Sequence, residues 1–131
     1  MATAPPLTRD VAGLATLLAT SGVVHLVRPD VYEGMVPHVL PRKRALVYVS
    51  GVAEIACAAG LLHPATRRVA GWASAAVLVA VFPANVQMSV DHGRRAARRG
   101  DASSRASFAA TLGRLPLQWP LVRTALRAAG R

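Results

Sequence analysis

The chain has 131 residues, about the length of one domain, and 53% of them are hydrophobic whereas only 17% are charged. Soluble domains have about 25% charged residues, so this balance is typical of a membrane protein. The net charge is +10, but no recognisable nucleic-acid fold or aromatic platform accompanies the basic residues, and we expect no nucleic-acid partner. Cys57 is the only cysteine, which excludes an intrachain disulfide and a self-contained thiol–disulfide oxidoreductase.

Four stretches of 17, 22, 22 and 17 residues contain at most one charged residue each. A helix needs about 20 mostly apolar residues to cross a bilayer. The pattern therefore predicts one all-α membrane domain over residues 1–131, an integral membrane antiparallel four-helix bundle with spans at about 10–28, 43–63, 67–92 and 105–127. A soluble bundle would show a polar face on each helix, and the windows at 11–27 and 69–90 show none.

The first predicted helix follows the leader MATAPPLTRD, which has one arginine and one aspartate. No small-x-small cleavage site follows the apolar run, so we expect the helix to be retained. His25 lies near its end. The next segment, 28–42, contains three prolines and the apolar run VYEGMVPHVL, which predicts an ordered loop with a short helix over this end of the bundle.

The second predicted helix carries Glu54 in its middle, and Cys57 lies between alanines, where we expect a packing role. The third carries Asn85 and Gln87 after Pro83, a residue that removes a backbone donor and can kink a helix. Basic clusters border these windows, which is typical of short loops that contact anionic head groups.

The fourth predicted helix contains GRLPLQWPLV, residues 113–122. Arg114 and Gln118 are four residues apart and therefore project from one face. Pro116 and Pro120 can kink the helix and free carbonyl groups beside that face. Trp119 either lines a cavity there or is an interfacial aromatic residue.

The polar residues of the spans lie toward the side that carries the 1–2 and 3–4 loops. At a rise of about 1.5 Å per residue, their depths below that side run from about 3 to about 16 Å. Because a central arginine costs roughly 2.5–3.5 kcal/mol in a membrane, this clustering predicts one polar pocket that opens toward the loops. Its candidate ligand-binding residues are His25, Glu54, Asn85, Arg114 and Gln118.

Glu54 and Arg114 are the only charged residues in their windows and have opposite signs. We therefore predict that their side chains lie in direct or one-water contact, that Asn85 and Gln118 face the same cavity, and that His25 lines its entrance. Two alternatives remain: the pair only joins two helices, or it pairs with another subunit. The histidines do not fall at i, i+4 spacing and no zinc motif is present, so we expect no metal site.

Four spans place both termini on one side of the membrane. Six basic residues lie on that side and nine on the other, which favours cytoplasmic 1–2 and 3–4 loops. We expect a multi-pass protein of the cell (plasma) membrane.

The phrases GVVHLVRPDVYEGMVPHVLP, LVYVSGVAEIACAAGLL, RRVAGWASAAVLVAVFPANVQMSV and RLPLQWPLV occur in this order between Gly22 and Val122. In this combination the sequence resembles the DoxX-like family of small bacterial membrane proteins. The resemblance implies a four-helix membrane fold, although relatives usually have His-Phe where this chain has His25-Leu26, and its 3–4 loop is unusually rich in arginine. The residues carried over are His25, Pro29, Pro37, Pro41, Ser50, Gly51, Glu54, Pro83, Asn85, Arg114, Pro116 and Gln118.

Relatives in other branches include a subunit of a thiosulfate–quinone oxidoreductase and partners in an oxidative-stress complex, so the transfer of activity is an analogy. Three hypotheses remain. The chain is a redox accessory that binds a quinone or another lipophilic small molecule, an enzyme on a lipophilic substrate with His25 or Glu54 as acid/base, or a ligand-free assembly partner. Its partners would be the lipid bilayer and a membrane subunit or a second copy, and the sequence does not identify a cofactor.

Overall fold

The computed structural model describes residues 3–131, and within this range it is all-helical, with no strand. Four helices are long and one is short. They are α1 (Arg9–Val27), α2 (Pro29–Glu33), α3 (Lys43–Leu62), α4 (Arg67–Arg99) and α5 (Ala102–Ala128).

Three of these helices, α1, α3 and α4, are long and apolar enough to cross a membrane. Their outer faces carry uncovered aliphatic side chains, among them Val49 at 66% exposed and Val69 at 72% exposed. Monomeric soluble proteins rarely expose large apolar patches. Helix α5 has the length but does not belong to this set, because Arg114, Gln118 and two prolines make it less apolar.

The long helices pack as two close pairs, α1 with α3 and α4 with α5. The pairs meet mainly between α3 and α4, and less extensively between α1 and α5. The apolar core includes Leu14 and Leu18 of α1, Leu61 of α3 and Leu78 of α4. Cys57 is buried in this core, where it packs among small and aliphatic side chains.

The helix bounds lie within a few residues of the predicted helix bounds, except at the end of α4. This helix runs to Arg99 rather than 92, because the arginines and alanines of 94–99 are good helix formers. It ends at Gly100, whose φ of 67° is left-handed and whose N–H donates to Ala96 O at 2.8 Å. With 33 residues, α4 is about 50 Å long, so its basic end extends past a hydrocarbon core of about 30 Å.

The connection between α1 and α3 contains the predicted short helix, α2, which begins at Pro29. Arg28 donates to both carboxylate oxygens of Asp30, at 3.3 and 3.2 Å, and this bonding holds the pKa of Asp30 below its usual value. Glu33 forms an ion pair with Arg44 of α3. These contacts hold α2 against the ends of the two helices that it connects.

Arg67 anchors the opposite end of α3. It is 5% exposed, and its guanidinium donates to Leu61 O at 2.7 Å, Leu62 O at 3.0 Å and Pro5 O at 2.6 Å. The last carbonyls of a helix lack intrahelical partners. Arg67 therefore satisfies the end of α3 and ties the N-terminal segment to the turn between α3 and α4.

Candidate functional site

A buried polar contact joins His25 of α1 to Glu54 of α3. His25 Nδ1 lies 3.4 Å from Glu54 Oε2, and the two side chains are only 9% and 7% exposed. Ionisable groups are almost never buried unless they are paired. This pair is the candidate functional site.

Two glycines bring the backbones of α1 and α3 close enough for the contact. A Cβ on Gly22 would lie 2.6 Å from Gly51 O, and a Cβ on Gly51 would lie 2.7 Å from His25 Cβ and 2.9 Å from Gly22 O. Only glycine fits at such distances. Each glycine precedes its polar residue by three positions, so the close approach and the polar pair lie within one helical turn of each other.

The direction of helical side chains explains why His25 and Glu54 meet. Gly22 faces Gly51 and Ile55, whereas Leu26 lies farther back along α3 beside Gly51, so the two helices run antiparallel. Helical side chains lean toward the N-terminus of their own helix. On antiparallel helices, His25 and Glu54 therefore lean toward each other.

The hydrogen bonding of His25 defines the role of each ring nitrogen. Nδ1 lies 2.6 Å from Ser21 O, and because a carbonyl oxygen only accepts, this nitrogen carries a hydrogen. In the neutral imidazole Nε2 is then the ring nitrogen without a hydrogen, and it can accept a hydrogen bond. The ring stacks against Tyr32 of α2, with centroids 3.7 Å apart and planes inclined by 14°.

Glu54 Oε2 is buried and has no hydrogen-bond partner within residues 3–131. Its 3.4 Å approach to His25 Nδ1 is an ion-pair distance, while that hydrogen is directed at Ser21. A buried polar atom without a hydrogen bond typically costs about 1–3 kcal/mol. Glu54 can therefore accept a hydrogen bond from an additional donor, or a proton.

Arg114 does not complete this site. It is exposed on α5, and in the described part of the chain no carboxylate lies within 4 Å of it. The predicted direct contact with Glu54 is therefore absent, whereas the predicted contact through one water stays a prediction, and the ionisable side chain in direct contact with Glu54 is His25. The reason is the order of the helices: α5 packs mainly on α4, and α3 packs on α1 and α4.

Gln118 is half-buried and donates from Nε2 to the backbone carbonyl of Leu78 on α4. This carbonyl lies in the turn before Pro83, a proline within the helix. A polar side chain in an apolar environment needs a partner, and the backbone of α4 supplies it. Gln118 therefore links α4 and α5 and does not reach His25 or Glu54 through this bond.

Asn85 is half-buried on α4, and no protein hydrogen bond of its side chain is seen in the described range. Gln87 donates to Asp91 Oδ1 at 3.0 Å on the same helix. His25 is buried rather than at an entrance, since Tyr32 covers its ring. Of the five predicted site residues, His25 and Glu54 are the pair that the structure brings within 4 Å of each other as an ion pair, and a cavity shared by Asn85 and Gln118 stays a prediction.

The family to which the chain belongs follows from its sequence as a whole. Residues 14–129 match a family model described as Domain of unknown function (DUF8561). The chain belongs to this family. No curated protein and no solved structure matches it.

The DUF8561 match covers α1 from Leu14 onward, all of α3 and every predicted site residue. Two contributors to the site, Ser21 and Tyr32, were not among the predicted residues. Ser21 precedes His25 by one helical turn, which places it on the same face, and this spacing could have revealed it. Tyr32 depends on the path of the loop and has no comparable signal in the sequence.

This site in the DUF8561 chain can hold and move a proton or receive a polar group. Within residues 3–131 no three His, Cys, Asp or Glu side chains are grouped closely enough to hold a metal ion. The ionisable members of the site are one carboxylate and one imidazole, with the hydroxyls of Ser21 and Tyr32 nearby.

Proposed function

We propose that this DUF8561 protein binds the polar head of a lipophilic small molecule, such as a quinone, beside His25 and Glu54 inside the cell membrane. The observation that carries the proposal is the buried Glu54 Oε2, which has no hydrogen-bond partner in residues 3–131 and lies beside His25 under Tyr32. The protein is then a redox accessory or a carrier of such a molecule.

In this proposal the chain crosses the membrane four times as a DoxX-like antiparallel bundle, with α5 as the fourth span. Helix α5 has 27 residues, about 40 Å, and packs along α4. Gln118 satisfies its side-chain amide on the backbone of Leu78, which lowers the cost of a polar residue in a bilayer. In this proposal the 1–2 and 3–4 loops face the cytoplasm, because nine basic residues lie on that side and six on the other.

The chemistry of the pair suits a ligand with carbonyl oxygens. Such oxygens only accept hydrogen bonds, so they need donors, and three groups here can donate: the Tyr32 hydroxyl, a protonated His25 Nε2 and a protonated Glu54. The ring of Tyr32 is half-buried and lies on His25. A ligand would reach the pair by displacing Tyr32, which belongs to the short helix α2 rather than to a long one.

Ligand binding is tested by thermal unfolding of the purified protein in detergent micelles, with decylubiquinone as the probe. We expect the midpoint to rise with quinone concentration, because a ligand that binds only the folded state stabilises it. Glu54→Gln should remove this rise. Asp91→Asn makes the same carboxyl-to-amide change on α4 and should keep it.

The other outcomes separate the alternatives. No rise for the wild type, or the same rise in Glu54→Gln, contradicts quinone binding at this pair. Chemical conversion of the probe, lost in Glu54→Gln and detected by mass spectrometry, favours the enzyme in which His25 or Glu54 is the acid/base. A variant that loses abundance in the membrane, with no effect of quinone on the wild type, favours a structural pair.

A second candidate function is that of an assembly partner in a membrane complex, and Arg114 favours it. This residue lies in the middle of α5, is exposed, and has no carboxylate within 4 Å in residues 3–131. An arginine at that depth normally finds a partner, which another subunit or a second copy could supply. Arg114→Gln should then weaken co-purification of that subunit or of a tagged second copy, and an unchanged yield contradicts this role.

A further inference from the structure

An apolar groove of about 520 Å³ lies on the outer surface between α4 and α5. Trp72 and small residues of α4 form one wall, and Val122 and Leu126 of α5 form the other. The groove follows α4 from Trp72 to Ala80, about 12 Å of helix. One wall of the groove belongs to α4, which is apolar enough to cross a membrane. We therefore expect lipid chains to contact the groove.

Two arginines lie at the Trp72 end of the groove. The Arg131 guanidinium carbon is 5.7 Å from the centre of the Trp72 ring. Arg68 precedes Trp72 by one helical turn, which places it on the same face, and its guanidinium lies next to Gly130. In the part of the chain described here, residues 3–131, no carboxylate lies within 4 Å of either arginine.

The contact with Trp72 preserves the binding capacity of Arg131. A guanidinium beside an aromatic ring can still donate hydrogen bonds from the N–H groups at its edge. Those groups match the oxygens of a phosphate. Tryptophan itself is enriched at the depth of lipid head groups, so the charges and the end of the groove occur at the level where a phosphate would lie.

We propose that this groove binds one anionic phospholipid, with an acyl chain between α4 and α5 and its phosphate between Arg68 and Arg131. The charge is complementary to an anionic head group, and the apolar groove continues inward from it. This site is separate from His25 and Glu54, which lie between α1 and α3. The inference is therefore independent of the quinone proposal.

The experiment is native mass spectrometry of the full chain, released from micelles that contain equal amounts of phosphatidylglycerol and phosphatidylcholine. We expect one retained phosphatidylglycerol per chain in preference to phosphatidylcholine. A basic residue at a membrane surface contributes on the order of fivefold in affinity for anionic lipid. Arg68→Gln with Arg131→Gln should therefore reduce this preference by on the order of thirtyfold.

A matched control is Arg94→Gln with Arg95→Gln, which removes two exposed arginines at the other end of α4 and should keep the preference. Ala76→Phe fills the exposed groove and should reduce retention of both lipids. Equal loss in the Arg94/Arg95 control would show general charge attraction and overturn the site. No retained lipid in the wild type, unchanged retention in Ala76→Phe, or a dimer that Ala76→Phe abolishes would overturn it as well.

Discussion

In both close helix pairs a glycine allows the two backbones to approach each other, but the side chains around the contact differ. In the α1–α3 pair, Gly22 and Gly51 bring the helices together beside a buried histidine and a buried carboxylate. In the α4–α5 pair, Gly71 meets the backbone of α5 near Ala125, and the surrounding core residues are small and apolar. Close packing thus encloses two ionisable side chains in the α1–α3 pair and leaves an apolar groove on the outer surface of the α4–α5 pair.

The polar residues of the two pairs differ accordingly. His25 and Glu54 meet each other within α1–α3, whereas Gln118 uses a backbone carbonyl of α4 and Arg114 stays exposed. Equal depth is therefore not sufficient for direct polar contact, which here occurs between side chains of the closely packed helices α1 and α3.

The largest effect should come from Arg67, which holds the turn between the two pairs. Arg67→Gln removes a buried guanidinium that bonds three carbonyls, and we expect a loss of about 3 kcal/mol or more in the free energy of unfolding. Arg123→Gln changes an exposed arginine that belongs to neither proposed site and should stay within about 0.5 kcal/mol. Unfolding in a denaturing detergent measures both, and similar losses would argue against the anchor.

The next effect concerns the glycine contact of the α1–α3 pair. In Gly51→Ala the new methyl group would meet His25 Cβ and Gly22 O, so we expect a loss of about 1–3 kcal/mol in stability. Gly13→Ala is the control, because a Cβ there meets nothing within 4 Å, and alanine should stabilise that helix by up to about 1 kcal/mol. If both changes stabilise the protein, the two backbones are not in close contact.

A smaller effect is expected in the α4–α5 pair. Gln118→Leu removes the hydrogen bond to Leu78 O, and we expect a loss of about 1 kcal/mol. The control is Leu112→Gln, which makes the reverse exchange of leucine for glutamine at an exposed position of the same helix. The link would be refuted if Gln118→Leu were as stable as the wild type in the same unfolding assay.

The sequence predicted the helices well because charge and hydropathy report directly on where a chain enters apolar surroundings. It placed the short helix in 28–42 and most helix ends correctly. The end of α4 was wrong because the charges at 91–99 end an apolar window without ending a helix. The helix continues through Gly93 and ends at Gly100, whose φ is positive.

The partner of Glu54 could not be predicted in the same way. Depth along a helix follows from counting residues, but the neighbour of each face depends on which helices pack together. Arg114 had the right sign and depth for Glu54, yet α5 packs mainly on α4. The Gly22–His25 and Gly51–Glu54 spacings are the sequence features that would have favoured His25.

The most direct test uses two double-mutant cycles that share Glu54→Gln. One cycle combines it with His25→Asn and the other with Arg114→Gln, and both are measured as free energies of unfolding in the same micelles. We predict a coupling of at least about 0.5 kcal/mol for His25 with Glu54, and additivity within about 0.3–0.5 kcal/mol for Arg114 with Glu54. Additivity in the first cycle together with coupling in the second would contradict the site described here.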